Sequence, residues 1–299
     1  MKLATTTGDF NGYTGSQIKS LQLIKEAGFG YADYNFGHDY NTRIGVYACD
    51  YRAYFDRINH ACEQIGIKLV QAHSPMGTPL TDPDGRFLAD TIRCVQACGA
   101  WGIPNLVVHS GYTRGLTREQ TFAENKKFFD AILTEAEKYG VNILCENFNK
   151  MVFSDVYWID NATDLRALID YVDHPLFHAV WDAGHANLQP MPQDEELMLL
   201  GDHVRALHVQ DNMGDGDSHL QPFMGTMSPD ALMNGLKKIG YDGYFTFEVG
   251  GVFTPASLRR PYPADTRLAN PPLALKLAAE RYLYELGKCV LEAYDCFEE

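Results

Sequence analysis

The sequence predicts an α/β protein in which eight strand–helix units form one closed barrel of parallel strands, the (β/α)₈ or TIM barrel. Three observations support this fold class. First, short runs of β-branched and aromatic residues alternate with amphipathic stretches along the chain. Second, such strict alternation is typical of parallel strands joined by crossover helices. Third, eight units within 299 residues match the size of a closed barrel, which predicts one domain over residues 1–299.

Each predicted strand is short and ends before a polar loop. The eight runs cover residues 2–8, 31–36, 67–74, 105–110, 142–148, 178–182, 204–210 and 244–249. An open, doubly wound sheet would use the same units, but no Gly-x-Gly-x-x-Gly motif follows any of these runs. The closed barrel is therefore the favoured arrangement.

Amphipathic stretches between these runs predict the outer helices. They cover residues 16–27, 51–65, 87–100, 118–139, 162–172, 194–200, 229–239 and, after a long loop at 255–272, a C-terminal helix at about 272–296. Glycine follows several of them at the position where a helix ends in a left-handed backbone conformation: Gly28, Gly66, Gly102, Gly140 and Gly240. Helix starts are predicted at Thr163 with Asp164 and at Ser228 with Pro229.

The charge balance of the chain argues against several classes of protein. There are 39 Asp and Glu residues against 25 Lys and Arg residues, so the formal net charge is −14. An acidic surface repels phosphate backbones, so nucleic acid is not an expected partner. No apolar run approaches the roughly 18 residues that cross a bilayer, and no apolar leader begins the chain, so no membrane contact and a cytoplasmic location are expected. The seven scattered cysteines are expected to be reduced.

Ionisable residues stand at the ends of six consecutive predicted strands. In a barrel of this kind, catalytic groups lie at the carboxyl ends of the strands, which converge on one mouth. Any one of these residues alone is a weak signal, but chance would rarely fill all six ends. The residues at or shortly after the strand ends are His73, His109, Glu146, Asp182, His185, His208, Asp217, His219 and Glu248.

Three carboxylates and one imidazole of this set predict a cation site. Converging carboxylates repel one another or shift their pKa values unless a cation lies between them. Glu146, Asp182 and Glu248 offer oxygen ligands, and His208 offers a nitrogen ligand. This donor set suits one divalent cation, Mn²⁺ first and Zn²⁺, Co²⁺ or Mg²⁺ as alternatives. Cys145 points to the other face of its strand and is expected to pack in the core.

The same residues resemble the xylose-isomerase-like TIM barrel superfamily, from the first strand to about Gly251. This superfamily includes sugar isomerases, ketose 3-epimerases, hydroxypyruvate isomerase, inosose dehydratase and abasic-site endonucleases. In its epimerase-like members, one divalent cation is held by residues of the last four strands. The resemblance implies that these ligands are Glu146, Asp182, His208 and Glu248.

The resemblance also implies roles for the remaining strand-end residues. His185, three residues after Asp182, is expected to contact substrate. The other four match further ligands of the trinuclear-zinc endonucleases, but the isomerases and epimerases often keep such side chains as substrate contacts. Substrate binding is therefore the role expected here for His73, His109, Asp217 and His219.

The chain departs from both of these patterns in the surrounding residues. Asn-Phe-Asn follows Glu146, where the endonucleases have a Thr-Ala-Gly-type segment. The segment between Asp217 and His219 lacks the arginine that the endonucleases place there. Ketose 3-epimerases usually carry an arginine shortly after the strand-seven histidine, where this chain has Met213, Gly214 and Asp215. A strict assignment to either group therefore does not follow.

The resulting hypothesis is a metal-dependent sugar or sugar-phosphate isomerase or epimerase that transfers a proton through an enediolate stabilised by the cation. Glu146 and Glu248 would flank the reacting carbon, one taking the proton and the other returning it. Alternatively, both only bind the metal, and water or a histidine is the base. Two other reactions stay open: a lyase acting on a keto-sugar, an inosose or a C-glycoside, and a trinuclear-zinc endonuclease. The expected partner is a small sugar or sugar phosphate, and a homo-oligomer is left open.

Overall fold

Eight parallel strands form a barrel in the computed structural model, which describes residues 1–150, 157, 159–250 and 271–299. Neighbouring strands pair in the order β7-β6-β5-β4-β3-β2-β1-β8, and helices lie between them in the chain. This confirms the predicted (β/α)₈ fold class. The strands are β1 (Lys2–Thr6), β2 (Tyr31–Asn35), β3 (Lys68–His73), β4 (Asn105–Val108), β5 (Asn142–Glu146), β6 (Phe177–Asp182), β7 (Val204–His208) and β8 (Tyr244–Phe247).

The barrel closes between β7 and β8, just beyond the end of β7. Val209 and Phe247 form a parallel bridge there. The Val209 amide donates to the Thr246 carbonyl at 2.8 Å, and the Glu248 amide donates to the Val209 carbonyl at 3.1 Å. The seam therefore lies at the mouth, beside two of the predicted cation ligands.

The helices surround this barrel. They cover Gly8–Thr14, Gln17–Ala27, Gly37–Thr42, Tyr51–Ile65, Arg86–Trp101, Arg118–Ala136, Ala162–Val172, Ala183–Asn187, Gln193–Leu200, Pro229–Lys238 and Leu273–Ala293, with 3-10 turns at Gly45–Tyr47, Pro79–Thr81 and Gly201–His203. The short helices at 8–14, 37–42 and 183–187 were not predicted, because two turns or fewer carry too little periodicity. Residues 255–270 of the predicted loop lie outside the described residues. No helix of the described residues has both the length and the apolar character needed to cross a membrane.

Helix ends follow the predicted chemistry with one exception. All five predicted glycines have a positive φ, between 65° and 118°. Ser228 accepts a hydrogen bond from the Ala231 amide at 3.2 Å, as expected of an N-cap. The helix Ala162–Val172 has the predicted bounds, but the assignment of its start to Thr163 with Asp164 is wrong, because Asn161 caps it. The Asn161 side chain accepts a hydrogen bond from the Asp164 amide at 2.9 Å.

Apolar side chains fill both the barrel interior and the layer between strands and helices. The outer layer includes Trp181 and also Cys145, which was predicted to pack in the core. A smaller inner cluster consists of Val107, Leu144, Val180 and Ala206. The strand residues next to these four in the chain point to the other side, towards the helices.

A register shift changes the face of the sheet to which the last side chains of β7 point. Val180 pairs with Ala206 although Ala179 pairs with Val204, which leaves Arg205 as an extra residue. Val204 therefore packs in the outer layer and Ala206 in the inner cluster. Without this irregularity the following residues would point to the opposite faces. The shift thus brings His208 to the interior of the mouth.

A second shift has the same effect on β3. Asp33 pairs with Gln71 although Ala32 pairs with Leu69, so one residue of β3 is extra. Leu69 then packs in the outer layer, whereas Gln71 and the last residue of the strand, His73, face inwards.

Candidate metal centre at the barrel mouth

The predicted site residues lie together at the carboxyl ends of the strands. Four of them end their strands: His73, Glu146, Asp182 and His208. His109 and Glu248 follow β4 and β8 directly, and His185 lies in the short helix after β6. Ion-pair contacts link all nine predicted residues into one cluster.

The four predicted cation ligands are close enough to share one ion. Each offers one ligand atom, and these atoms lie within 4.8 Å of one another: Glu146, Asp182, His208 and Glu248. His208 Nδ1 is 3.0 Å from Glu146 Oε1 and 3.6 Å from Glu248 Oε2. The side chains of Glu146 and His208 are buried, whereas 18% of the Glu248 side chain is exposed. Glu248 is therefore the member of this group that faces the open mouth.

The two carboxylate oxygens of Asp182 differ in their hydrogen bonding. Its Oδ1 accepts from the His185 amide at 2.7 Å and from Gln210 Nε2 at 3.2 Å. Its Oδ2 is buried and accepts no hydrogen bond from the described residues. Burial, with the nearby charges of Glu146 and Glu248, raises the pKa of Asp182 to about 6. An unpartnered buried oxygen in an oxygen-rich set is what a divalent cation would satisfy, so the residues fit such an ion.

Glu146 lies at the centre of the histidines. His109 Nε2 is 2.6 Å from Glu146 Oε2, and His73 Nε2 is 3.5 Å from the same oxygen. Burial alone would raise the pKa of Glu146, but the charge of His208 and hydrogen bonds from three imidazoles hold it well below its ordinary value. Burial also lowers the pKa of His208, but Glu248 and Glu146 outweigh this and raise it well above its ordinary value. Glu146 is thus stabilised as a carboxylate.

A second group of ligand type adjoins the first. The ligand atoms of His185, Asp217 and His219 also lie within 4.8 Å of one another. His219 Nε2 is 3.1 Å from Asp217 Oδ1, and His185 Nε2 is 3.5 Å from Asp217 Oδ2. Burial opposes charge on His185, but Asp182 and Asp217 outweigh it and raise its pKa to about 10. These two imidazoles lower the pKa of Asp217 in spite of its burial.

The buried carboxylates raise the pKa values of His73, His185 and His208 and so favour positive charge on these rings, whereas burial lowers the pKa of His109. A divalent cation supplies the same positive charge and leaves a ligating imidazole neutral. The raised pKa values of His208 and His185 are therefore the electrostatic sign of a place for a cation.

The loop after β7 places Asp217 and His219 over the mouth. Asp211 anchors it, because its carboxylate accepts from the Gly225 and Met227 amides, each at 2.9 Å. Asp211 and Leu220 also bridge in antiparallel fashion. This anchor was not predicted, because the positions of Asp211, Gly225 and Met227 in the sequence do not indicate that they are in contact.

Four further polar residues of the site were not predicted. Asn147 exchanges hydrogen bonds with the Asp182 backbone, at 2.7 and 2.9 Å. Gln210 donates to Asp182 and to Asp217 Oδ1, the latter at 3.1 Å. Asp33 and Gln71 lie deeper in the barrel and are joined by a 2.8 Å hydrogen bond. The available signal was weak: Asp33 is a lone carboxylate between the core residues of a buried strand.

Aromatic rings form one wall of the mouth. The Phe148 ring centre lies 4.6 Å from that of His109 and 4.7 Å from that of His185. Tyr157 packs on Phe148 with ring centres 4.3 Å apart. This wall gives the polar site an apolar face, as small-molecule pockets generally have.

The fold and the buried carboxylate–imidazole cluster define a barrel with a candidate divalent-metal centre. The chain belongs to the xylose isomerase-like TIM barrel family, whose model matches residues 21–264. The resemblance inferred from the strand-end residues is thereby confirmed.

Two curated relatives match about half of this chain. An uncharacterized protein of Methanocaldococcus jannaschii is 30% identical over 167 residues, which are 53% of this chain and 56% of the relative. The fructoselysine 3-epimerase of Escherichia coli O157:H7 is 28% identical over 146 residues, which are 49% of this chain and 47% of the relative. The chain thus spans about half the length of the curated relatives it matches.

Solved structures share the fold over nearly the whole chain. A D-tagatose 3-epimerase-like protein has a TM-score of 0.72 at 19% identity and covers 98% of this chain and 100% of its own. An AP endonuclease of family 2 from Brucella melitensis has a TM-score of 0.69 at 17% identity and covers 84% of this chain and 94% of its own. At these identities the likeness concerns the fold alone, and the choice of reaction depends on the site.

Proposed function

We propose that this chain is a divalent-cation-dependent sugar isomerase or epimerase that moves a proton at a carbon next to a carbonyl group. The observation that carries the proposal is the cluster of Glu146, Asp182, His208 and Glu248, whose ligand atoms lie within 4.8 Å of one another. Membership of the xylose isomerase-like family supports it, as does the likeness to a protein named as a fructoselysine 3-epimerase.

The donor set suits Mn²⁺ first, with Co²⁺, Zn²⁺ and Mg²⁺ as alternatives. When bound, such a cation polarises a substrate carbonyl and its neighbouring hydroxyl group. The carboxylates of Glu146 and Asp182 and the Nδ1 atom of His208 would hold it from below, and Glu248 from the open side.

Proton transfer is assigned to Glu146 and Glu248. They come from β5 and from the residue after β8, so they approach a substrate from different sides of the barrel axis. Glu248 is the more accessible, with 18% of its side chain exposed against 1% for Glu146. One carboxylate takes the proton and the other returns it. Return to the other face of the same carbon gives epimerisation, and return to the adjacent carbon gives isomerisation.

The remaining polar groups would orient the substrate. His185, Asp217 and His219 lie above the carboxylates and offer donors and acceptors to sugar hydroxyls. The wall of Phe148 and Tyr157 offers apolar surface to the C–H face of a sugar ring.

Proton exchange with solvent tests this function. The Mn²⁺-loaded protein is incubated in D₂O with a panel of ketoses, and deuterium in recovered sugar is measured by mass spectrometry. We expect incorporation at a single carbon of at least one ketose.

Glu146→Gln and Glu248→Gln should lower the rate by at least about 100-fold. Asp39→Asn is the matched control, because Asp39 is a buried aspartate whose carboxylate accepts hydrogen bonds from Tyr34 and Gln17. Bound Mn²⁺ without exchange into any ketose would contradict the proposal.

The same experiment separates a lyase from an isomerase. A lyase would use the same cation and base, but its product loses water or a leaving group. A mass change of the recovered sugar, in place of simple exchange, would therefore assign the chain to the lyases.

A second candidate is a hydrolase that cleaves phosphodiesters at several metal ions. The observation that favours it is the presence of three ligand groups, of which the third, His73, Glu146 and His208, shares Glu146 and His208 with the first. Metal analysis of the purified protein distinguishes the candidates. About one ion per chain supports the isomerase, and about three zinc ions with cleavage of abasic DNA would support the hydrolase.

A further inference from the structure

We propose that Asp33 is a positioning residue, which holds the His208 imidazole so that its Nδ1 atom faces the cation site. This inference rests on the proposed function, because it concerns the ligand set that the function requires. Asp33 is the third residue of β2 and lies inside the barrel with 1% of its surface exposed. It belongs neither to the strand-end residues nor to the groups of ligand type.

The two nitrogen atoms of His208 face different carboxylates. Nδ1 is directed to the mouth, 3.0 Å from Glu146 Oε1 and 3.6 Å from Glu248 Oε2. Nε2 is directed into the barrel, 3.4 Å from Asp33 Oδ2, at ion-pair distance and without a hydrogen bond to any of the described residues. A carboxylate beside Nε2 keeps the proton on that atom, so the Nδ1 lone pair is available to a cation. Asp33 thus selects the form of the ring that can act as a ligand.

A buried polar chain fixes Asp33 itself. Gln71 Nε2 donates to Asp33 Oδ2 at 2.8 Å, and Thr246 Oγ1 donates to Gln71 Oε1 at 3.1 Å. These residues come from β2, β3 and β8, so three strands contribute to the position of a side chain on β7. The His73 ring stacks on the His208 ring, with centres 5.4 Å apart and planes 16° apart. The imidazole is held on one face and at its inner edge.

The polar chain is unusual for its place. On the side of β4 to β7, the barrel interior is filled by small apolar side chains, Val107, Leu144, Val180 and Ala206. Burying a carboxylate inside a barrel costs free energy unless it is paired. The Oδ1 atom of Asp33 also has no hydrogen-bond donor in the part of the chain that the structure describes. A residue that serves packing alone would be apolar here, so the carboxylate points to a role towards His208.

Asp39 offers a matched comparison within the same chain. It is likewise a buried aspartate, 1% exposed, whose carboxylate accepts from a glutamine, Gln17, at 3.2 Å. Its other partner is Tyr34 at 2.8 Å and not a histidine of the site. Replacement of either aspartate by asparagine removes one buried charge and keeps the size of the side chain. Only the Asp33 variant should change a ligand.

Direct cation binding tests the inference without an activity assay. Wild-type, Asp33→Asn and Asp39→Asn proteins are freed of metal and titrated with Co²⁺, whose visible absorption bands report the ligand set. Affinity is measured by competition with a chelator, and folding by circular dichroism. We expect Asp33→Asn to bind Co²⁺ about 10- to 100-fold more weakly with altered bands. Asp39→Asn should bind within about 2-fold of wild type, even if it melts at a lower temperature.

Each outcome decides a separate point. Failure of the wild type to bind Co²⁺ would contradict both the proposed function and this inference. Binding by Asp33→Asn with wild-type affinity and bands would overturn the inference and leave the proposed function standing. Equal weakening by Asp39→Asn would also overturn it, because the effect would then be a general loosening. If Asp33→Asn does not fold, Gln71→Leu removes the donor to Asp33, and unchanged Co²⁺ binding by that variant would count against the inference.

Discussion

Gly184 shows how one absent side chain can shape the site. It lies in the short helix after β6, and a Cβ atom there would overlap the side-chain amide of Gln210. Gln210 is fully buried and donates to both Asp182 and Asp217. The space that a glycine leaves is therefore occupied by the group that links the two ligand clusters.

Replacement of Gly184 by alanine should displace this amide. We expect Gly184→Ala to lose about 1–3 kcal/mol of stability through overpacking and to bind Mn²⁺ at least about 10-fold more weakly. Isothermal titration with Mn²⁺ and a thermal melt measure the two effects. Gly30→Ala is the control, because no atom of the described residues would lie within 4 Å of a Cβ atom at Gly30. Equal Mn²⁺ affinity of the Gly184 and Gly30 variants would contradict this account.

Asp9 makes the stability of the protein depend on pH. It is buried beside Lys276 and Glu280 of the C-terminal helix, with Lys276 Nζ 3.9 Å from Asp9 Oδ2 and 3.1 Å from Glu280 Oε2. Burial raises its pKa from 3.8 to about 7, against the favourable charge of Lys276. Between these two pH values the folded protein keeps a proton that the unfolded chain releases. The contribution to stability is therefore complete below about pH 4 and is lost as the pH rises through 7.

The asparagine variant isolates this effect. Between pH 4 and pH 8, the free energy of unfolding of the wild type should fall relative to that of Asp9→Asn by on the order of 4 kcal/mol. Urea unfolding of both proteins at several pH values measures the difference. Asp50→Asn, in which an exposed aspartate is replaced, should run parallel to the wild type. Parallel curves for Asp9→Asn and the wild type would show that Asp9 does not carry this dependence.

Single residues differ in how far their sequence context reveals them. The nine strand-end residues could be named because parallel strands in a barrel bring their carboxyl ends to one mouth, whatever their distance along the chain. Asp33, Gln71, Asn147 and Gln210 could not, because their roles depend on pairing across strands. A lone Asp or Gln in a strand looks the same whether it faces the axis or a helix.

At the scale of elements, the helix Ala162–Val172 has two candidate N-cap residues, Asn161 and Thr163. Thr163 is exposed, whereas the Asn161 side chain accepts from the Asp164 amide at 2.9 Å. Asn161→Ala should therefore cost about 1 kcal/mol of stability, and Thr163→Ala close to nothing. Chemical unfolding of the two variants measures this. A larger loss for Thr163→Ala would contradict the assignment of Asn161 as the capping residue.

The long elements could be predicted well and the irregular ones could not. The helices Tyr51–Ile65 and Ala162–Val172 have the predicted bounds, because three or more turns of amphipathic pattern define a face. The register shifts at Arg205 and in β3 leave no such pattern. Simple alternation would place His208 and Ala206 correctly relative to each other but would not reveal that Val204 faces the helices.

At the scale of the whole molecule, strand–helix alternation and length were enough to predict the barrel. The contact between β7 and β8 that closes the barrel was not predicted, because it depends on the curvature of the sheet. Within the described residues, β7 and β8 are joined by the bridge of Val209 and Phe247 and not by a regular ladder. The predicted cation ligands His208 and Glu248 flank this joint directly. A cation held by both would connect the two strands beside this bridge.

Cation binding should therefore protect this seam against hydrogen exchange more than other parts of the barrel. The Val209 and Glu248 amides, which close the barrel at 2.8 and 3.1 Å, should exchange about 10-fold more slowly with saturating Mn²⁺. Exchange followed by mass spectrometry measures the effect. The Ser74 amide, which donates to the Val107 carbonyl at 2.9 Å between β3 and β4, serves as the internal reference. Glu248→Gln should abolish the difference between seam and reference. Equal protection of both sites in the wild type would mean that the cation stabilises the barrel as a whole and does not join β7 to β8.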